Sequence, residues 1–497
     1  MAADRRAGTG QPGARSQPGG TGPAGRSKAA RAAGRHSADP VRRTALDVLR
    51  AVADRDAYAN LLLPSVLRER GICGRDAALA TELTYGTLRG RGTYDAVLTA
   101  CSNRRLDRID PPVLEVLRLG THQLLATRVR AHAAVATSVD LARDAAGPGA
   151  AKFVNAVLRQ VAAHDLEAWI EEVAPPRGRD PLGHLAVRYS HPRWIVAAFS
   201  EALGEDAASG LPETQAALAA GADRPGVTLC AVPGVADPAE LVAEGAESAR
   251  WSPFGVYLNR GDPARLAAIG DGRAGVQDEA SQLAALALTR VDVGSPDSRW
   301  LDVCAGPGGK ARLLAGLAGG RGARLAAADV RPHRARMVRE ATVRTEAATV
   351  IVADGCVPAW RPGSFDRVIA DVPCSGLGAL RRRPDSRWRK SPRDVAGLGG
   401  LQRSLLAQSL EAVRPGGVVA YVTCSPHLAE TQSVVADVVG RRDDVSVLDA
   451  PGVLPEVPRL RCPGPDSRYA QFWPHRHGAD AIFLALLRRH PGPAGRA

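Results

Sequence analysis

The stretch Trp300-Leu301-Asp302-Val303-Cys304-Ala305-Gly306-Pro307-Gly308-Gly309-Lys310 decides the fold. A short apolar strand runs straight into a glycine-rich turn, and a helical apolar pattern opens at once beyond it. Glycines there let the backbone approach a ligand closely, and the first turn of the following helix offers free N–H groups to an anionic group. The spacing is neither a Walker loop nor GxGxxG. Working outward, strands are predicted at 299–304, 323–329, 348–353, 365–372, 417–424 and 481–487. Helices are predicted over 277–290, 309–318, 332–345, 401–413 and 427–440. Strand–helix units of this length imply an α/β region built on an open parallel sheet with helices on both faces.

In such a sheet the loops at the carboxyl ends of the strands face one crevice. Asp329 ends the second predicted strand, Asp354 the third and Asp371 the fourth. An acid after the second strand is placed for ribose hydroxyls and one after the third for an adenine amino group, which suits a nucleoside cofactor carrying an amino-acid end. Loop aspartates also cap helices, but their shared register favours a common ligand. Two cysteines lie on the same edge, in Asp371-Val372-Pro373-Cys374-Ser375-Gly376 and in Thr423-Cys424-Ser425-Pro426. A buried cysteine is ordinarily a small hydrophobe. As a pair beside a cofactor loop, each ahead of a predicted helix, they are candidate nucleophiles whose thiolates a helix N-terminus favours.

These motifs resemble those of the RNA cytosine-5 methyltransferases, and Gly275-Val276-Gln277-Asp278-Glu279-Ala280-Ser281-Gln282 resembles the segment leading into that family's catalytic domain. Phe153-Val154-Asn155-Ala156-Val157-Leu158-Arg159 and the helices before it are similar to the NusB fold, as in the bacterial Sun/RsmB branch. The resemblance covers about 39–490. It implies an all-α NusB-like RNA-binding domain followed by a Rossmann-like methyltransferase domain that uses S-adenosylmethionine. The cofactor would lie against Cys304, Ala305, Gly306, Pro307, Gly308, Gly309 and Lys310, with Asp329 on its ribose, Asp354 near adenine and Asp371 beside it. Cys424 would attack carbon 6 of the cytosine, Cys374 would assist proton removal and product release, and Asp371 would contact the base. Arg382, Arg383, Arg387 and Trp388, in the basic run after Gly378, would bind RNA, with small-subunit ribosomal RNA the expected substrate. Gly306, where many relatives have alanine, should not disturb the turn.

Composition fits this frame. The 497 residues carry 65 basic against 52 acidic side chains, a formal charge of +13. Lysine occurs only at positions 28, 152, 310 and 390, and the excess of cations suits a polyanionic partner. Residues 1–38 contain seven cations, one acid and no Leu, Ile, Val or Phe, which predicts a disordered basic tail. Helical periodicity dominates 39–165. A Pro- and Arg-rich linker is expected around 165–190 within a small α+β segment, 166–270, that would position RNA; the catalytic domain spans 271–490, with 489–497 frayed. Mean hydropathy of −0.13 and the absence of a long apolar run argue against a membrane span. The eight cysteines form no Cys-x-x-Cys pair, so no zinc ribbon or other metal site is expected. Without an apolar signal segment, a cytoplasmic monomer with free thiols is the default reading. The rival readings are a transfer RNA cytosine-5 methyltransferase, a NusB-like RNA-binding factor without catalysis, and a methyltransferase for protein or small molecules.

Overall fold

A computed structural model describes residues 39–55, 57–259, 261–357, 359–464 and 468–491; the basic segment 1–38 and residues 492–497 lie outside these. The chain opens with five helices, Pro40–Asp54, Ala59–Glu69, Gly74–Cys101, Pro111–Ala126 and Ala131–Val161. The first starts where Asp39 accepts the N–H of Val41 and Pro40 supplies a pre-set φ. Gly147, at φ 86°, breaks the helical geometry inside the fifth, ahead of Pro148. Leu49, Leu83, Leu98, Leu117, Val154 and Leu158 are buried at the centre of this bundle, each contributing about 1.5–3 kcal/mol by leaving water.

The linker expected around 165–190 is instead folded. Helices Leu166–Val173 and Pro181–Arg188 occupy it, capped by Asp165 and Asp180. Pro181 stands at the first helical position, where proline starts a helix rather than ending one. Helices Arg193–Leu203 and Pro212–Ala222 follow, then a four-stranded antiparallel sheet of β1 (Val227–Ala231), β2 (Glu247–Ser248), β3 (Gly255–Leu258) and β4 (Ala274–Val276), ordered β2-β3-β1-β4.

The large sheet contains β5 (Arg299–Asp302), β6 (Arg324–Asp329), β7 (Ala348–Val352), β8 (Phe365–Asp371), β9 (Val413–Thr423), β10 (Val445–Leu448), β11 (Ala470–Gln471) and β12 (Phe483–Arg489). Its order is β10-β12-β9-β8-β5-β6-β7, with β11 beside β12. Five strands, β5 to β9, are parallel as expected. β12 runs against them, antiparallel to β9, β10 and β11, so the sheet is mixed and not wholly parallel. Side chains alternate between two cores. Ile369, Ala420, Val422 and Leu484 face helices Glu279–Arg290 and Gly309–Gly319, whereas Val368, Ala370, Tyr421 and Phe483 face Pro392–Ala412 and Gln432–Val439. Arg489, expected to fray, ends β12 and donates to the carbonyls of Leu410, Glu411 and Val413. Among the described residues no helix is long and apolar enough to cross a membrane.

The basic run after Gly378 locks the helical bundle to the catalytic sheet. Arg387 is fully buried and donates to the carbonyls of Arg89 at 3.1 Å, Ser190 at 3.3 Å and Gly221 at 2.9 Å. Burial, then the charge of Arg89, pulls its proton affinity down to about 9. Trp388 lies against Gly92, where a Cβ would come within 2.5 Å of the indole, and under the Arg91 guanidinium at 5.9 Å. Arg389 bonds the carbonyls of Val52 and Ala57. Arg387→Ala would remove three hydrogen bonds from this buried interface, and we expect it to lower the unfolding free energy by about 3 kcal/mol or more. Urea denaturation checks this; an unchanged midpoint would mean the side chain carries no structural load.

Candidate active site

Because β5, β6, β7, β8 and β9 are parallel, their carboxyl ends and the loops 303–308, 353–357, 372–376 and 424–427 lie along one edge of the sheet. The first loop is held tightly. Ala305 donates to Ala328 at 2.8 Å, and Gly308 adopts φ 114° with its Cα against the helix 332–341, where a Cβ would sit 2.6 Å from Ala341. Only glycine fits there. Asp329 is turned into the same loop, accepting from Gly306 N–H at 3.1 Å and Arg331 N–H at 2.9 Å, while Arg334 donates to the Gly306 carbonyl. A Cβ at Gly306 would approach the Asp329 carboxylate to 2.4 Å, so the glycine permits this contact. Asp354 sits on the exposed rim and accepts from Cys356 N–H at 2.9 Å.

Charge concentrates behind the loop. The buried Lys310 ammonium meets Asp371 at 2.9 Å. Burial alone would lower the lysine, but the Asp371 carboxylate outweighs it and holds the ammonium above its usual range. Asp302 is fully buried and is pushed up to about 7 by burial, then by the Asp371 charge, with Cys304 N–H and Lys310 opposing. Cys304 keeps its proton well above the ordinary thiol range, because it is buried and faces Asp302, Asp371 and Asp329.

The two strand-end cysteines meet: Cys374 Sγ and Cys424 Sγ are 3.3 Å apart, and both are free thiols. Cys374 is raised well above the ordinary range, first by its hydrogen bond to Cys424, then by burial and by the charges of Cys424, Glu430 and Asp371. Either sulfur can donate in this contact. The Cys424 loop is fixed from behind, since Gly378 donates to the Cys424 carbonyl at 2.9 Å and accepts from Ala481 at 3.0 Å.

Two residues here escape sequence reasoning. Gln277 lies over Gly309, the first residue of the helix after the glycine loop, and its side-chain carbonyl oxygen is buried without a partner. Glu430 is fully buried behind both cysteines. A carboxylate six positions after Cys424, among Leu428, Ala429 and Val434, was the available signal.

The basic run does not form a free phosphate-binding loop. Arg381 and Arg382 both pair with Asp278 and Asp480. Arg387 and Trp388 are consumed by the contact with the helical bundle described above, so their expected RNA contact is replaced by interdomain packing. Spacing showed the cations; only the fold shows the carbonyls and carboxylates that take their hydrogens. Arg383 alone of the four expected RNA-binding residues is exposed.

Residues 292–488 match the family described as 16S rRNA methyltransferase RsmB/F, and residues 39–163 match the NusB family. A Mycobacterium tuberculosis (strain H37Rv) protein that carries a methyltransferase name, Rv1407, is 53% identical over 92% of this chain and 98% of its own. The Bacillus subtilis (strain 168) protein named "Probable ribosomal RNA small subunit methyltransferase B" is 32% identical over 90% of this chain and 98% of its own. The crystal structure of PH0851 superposes with a TM-score of 0.72 over 91% of this chain and 100% of that one, a likeness of fold at 20% identity.

Asp302 makes the site's charge measurable. With its folded value raised to about 7, folding takes up a proton between the ordinary carboxylate range and neutrality, so its contribution to stability falls as pH rises through that window. Asp302→Asn removes the penalty. Relative to the parent chain, its gain in unfolding free energy should be about 2–3 kcal/mol larger at about pH 8 than at about pH 5. Urea titrations at the two pH values check this, and a pH-independent difference would refute it.

Proposed function

The chain belongs to the RsmB/F family of 16S ribosomal RNA methyltransferases, and from that premise we propose that it methylates carbon 5 of a cytosine in small-subunit ribosomal RNA through a covalent Cys424–cytosine intermediate. The observation that carries this reading is the thiol pair, 3.3 Å apart beside the Lys310–Asp371 ion pair. Carbon 5 of cytosine is a weak nucleophile until something adds to carbon 6, and a second, protonated thiol has no use in a simple transfer.

The residues on this edge fit S-adenosylmethionine. The first turn of helix Gly309–Gly319 offers N–H groups to its carboxylate. The unpartnered Gln277 oxygen suits its ammonium group. Asp302, Asp329 and Asp371, against the cations Lys310 and Arg334, favour a positively charged sulfonium. Asp329 and Asp354 stand where ribose and adenine would lie. Bound there, S-adenosylmethionine supplies an electrophilic methyl group.

We assign Cys424 as the nucleophile because Cys304 and Cys374 hold their protons, and Cys424 stands 3.3 Å from Cys374 and near the Lys310 ammonium. Its sulfur adds to carbon 6 and the electron pair moves toward carbon 5, which takes the methyl group. Asp371, paired with Lys310, meets the polar edge of the base near nitrogen 3 and steadies the charge that develops there. Bonding of Cys424 to carbon 6 removes the contact that holds the Cys374 proton, so Cys374 releases that proton to solvent and, as a thiolate, takes the proton from carbon 5. That electron pair reforms the 5,6 double bond and expels the Cys424 sulfur, regenerating both groups. The target base must leave its stack to reach this edge, which favours single-stranded or loop RNA. Arg383 and the helical bundle are the proposed RNA contacts.

Transfer of labelled methyl groups tests the reading, with unmodified small-subunit ribosomal RNA and bulk transfer RNA offered separately. Label in 5-methylcytidine from ribosomal RNA is expected; label only in transfer RNA would overturn the substrate. Cys424→Ala should reduce transfer by about 10³-fold or more while cofactor affinity is unchanged. Cys374→Ala should accumulate a protein–RNA adduct stable on a denaturing gel. Normal turnover in either variant would overturn the roles assigned to the pair.

A further inference from the structure

We propose that Glu430 is the positioning residue that sets the two thiols at their working separation; the inference rests on the thiol-pair reading above and deepens it. Glu430 closes the short turn Leu428–Glu430 and is completely buried. One of its carboxylate oxygens accepts the Ser375 N–H at 2.7 Å and the Gln402 amide at 3.2 Å. The other accepts the Ser375 hydroxyl and the Ser425 hydroxyl, the latter at 2.6 Å. Its main-chain carbonyl takes the Tyr421 hydroxyl at 2.7 Å.

Ser375 and Ser425 directly follow Cys374 and Cys424. A single carboxylate thus straps together the residue after each cysteine, and the two serine oxygens are drawn to 3.2 Å of one another. Both hydroxyls donate to the same ionised group, so neither can rotate away without leaving a buried charge short of a donor. The loops that carry the sulfurs come from different strands, β8 and β9, and the strand pairing ends at Asp371↔Val422, before either cysteine. Beyond that point, the Glu430 straps join one cysteine loop to the other. Gln402 extends the brace to the carbonyl of Pro373 at 2.9 Å, on the other side of Cys374.

Among the described residues, Glu430 has no Lys, Arg or His within ion-pair distance. Its charge is balanced by neutral donors alone, a costly arrangement that a buried glutamine would avoid. The retained charge also contributes to holding the proton on Cys374. Glu430 thus acts on the geometry of the pair and, behind the Cys424 hydrogen bond and burial, on its protonation.

The test uses the full chain with Glu430→Gln, which preserves shape but must turn an N–H₂ toward donors. Affinity for S-adenosylhomocysteine and KM for RNA should be unchanged, while kcat falls by about 10–100-fold, the scale of a small misplacement of reacting groups. A second readout is independent of catalysis. Diamide takes two electrons and two protons from a thiol pair to form a disulfide, so the rate of Cys374–Cys424 cross-linking, located by peptide mapping, reports their approach. That rate should drop by about tenfold in Glu430→Gln. Ser375→Ala and Ser425→Ala, each removing one strap, should slow it by smaller factors. Unchanged kcat and cross-linking in Glu430→Gln overturn the proposal. So does a collapse of affinity, KM and kcat together while both serine variants behave as the parent, since that marks a general structural role. If instead Cys424→Ala still transfers methyl groups, the catalytic reading fails, and the cross-linking rates still decide whether Glu430 positions the pair.

Discussion

Strand β8 lies hydrogen-bonded between β5 and β9, with Asp302 opposite Ile369 on one side and Asp371 opposite Val422 on the other. Parallel pairing leaves no freedom in which end of each strand meets the others. The glycine loop after β5, the Cys374 loop after β8 and the Cys424 loop after β9 must therefore open along one edge. Each sits one strand-spacing from the next, close enough for Lys310, in the helix after the first loop, to reach Asp371 at the end of β8. If β8 ran the other way, Asp371 and Cys374 would lie at the far end of the sheet.

The chain's excess of arginine has two physical uses. One is net charge. The other is hydrogen bonding, because a guanidinium presents five donors in a rigid fork. Arg387 satisfies three carbonyls from three separate segments, and Arg381 with Arg382 closes a buried network on Asp278 and Asp480. Lysine offers fewer donors and no plane, and the lysine in the site, Lys310, does a different task as a compact charge against Asp371. The segment that connects the catalytic edge to the helical bundle is thus held by main-chain carbonyls and buried acids. Any RNA that reaches the edge meets a surface already fixed by these contacts.

Much of this architecture is legible in the residues themselves. The five parallel strands fall within a few positions of 299–304, 323–329, 348–353, 365–372 and 417–424, because buried parallel strands are short apolar runs between turn residues. The antiparallel return of β12 between β9 and β10 is not legible, since an apolar run carries no mark of its direction. Helices Leu166–Val173 and Pro181–Arg188 hide behind Pro175 and Pro176, which lie between them rather than inside them. Strand β4 lies beyond the boundary expected at residue 270 yet belongs to the small sheet, because its pairing partner β1 lies some forty residues earlier.

The sequence by itself determined which groups stand at which strand ends: the glycine loop from Cys304 to Lys310, the acids at 329, 354 and 371, and the cysteines at 374 and 424. Such placement follows from local pattern, as strand and turn periodicities are short-range properties of the chain. Only the tertiary structure decided distances and partners. It brought the two thiols to 3.3 Å, put Glu430 behind both, buried Asp302 until its carboxyl rose to about 7, and turned Arg387 and Trp388 into the bundle. Burial and hydrogen-bond satisfaction depend on residues hundreds of positions apart, as Arg387 and Arg89 are, and a one-dimensional pattern holds no record of that contact.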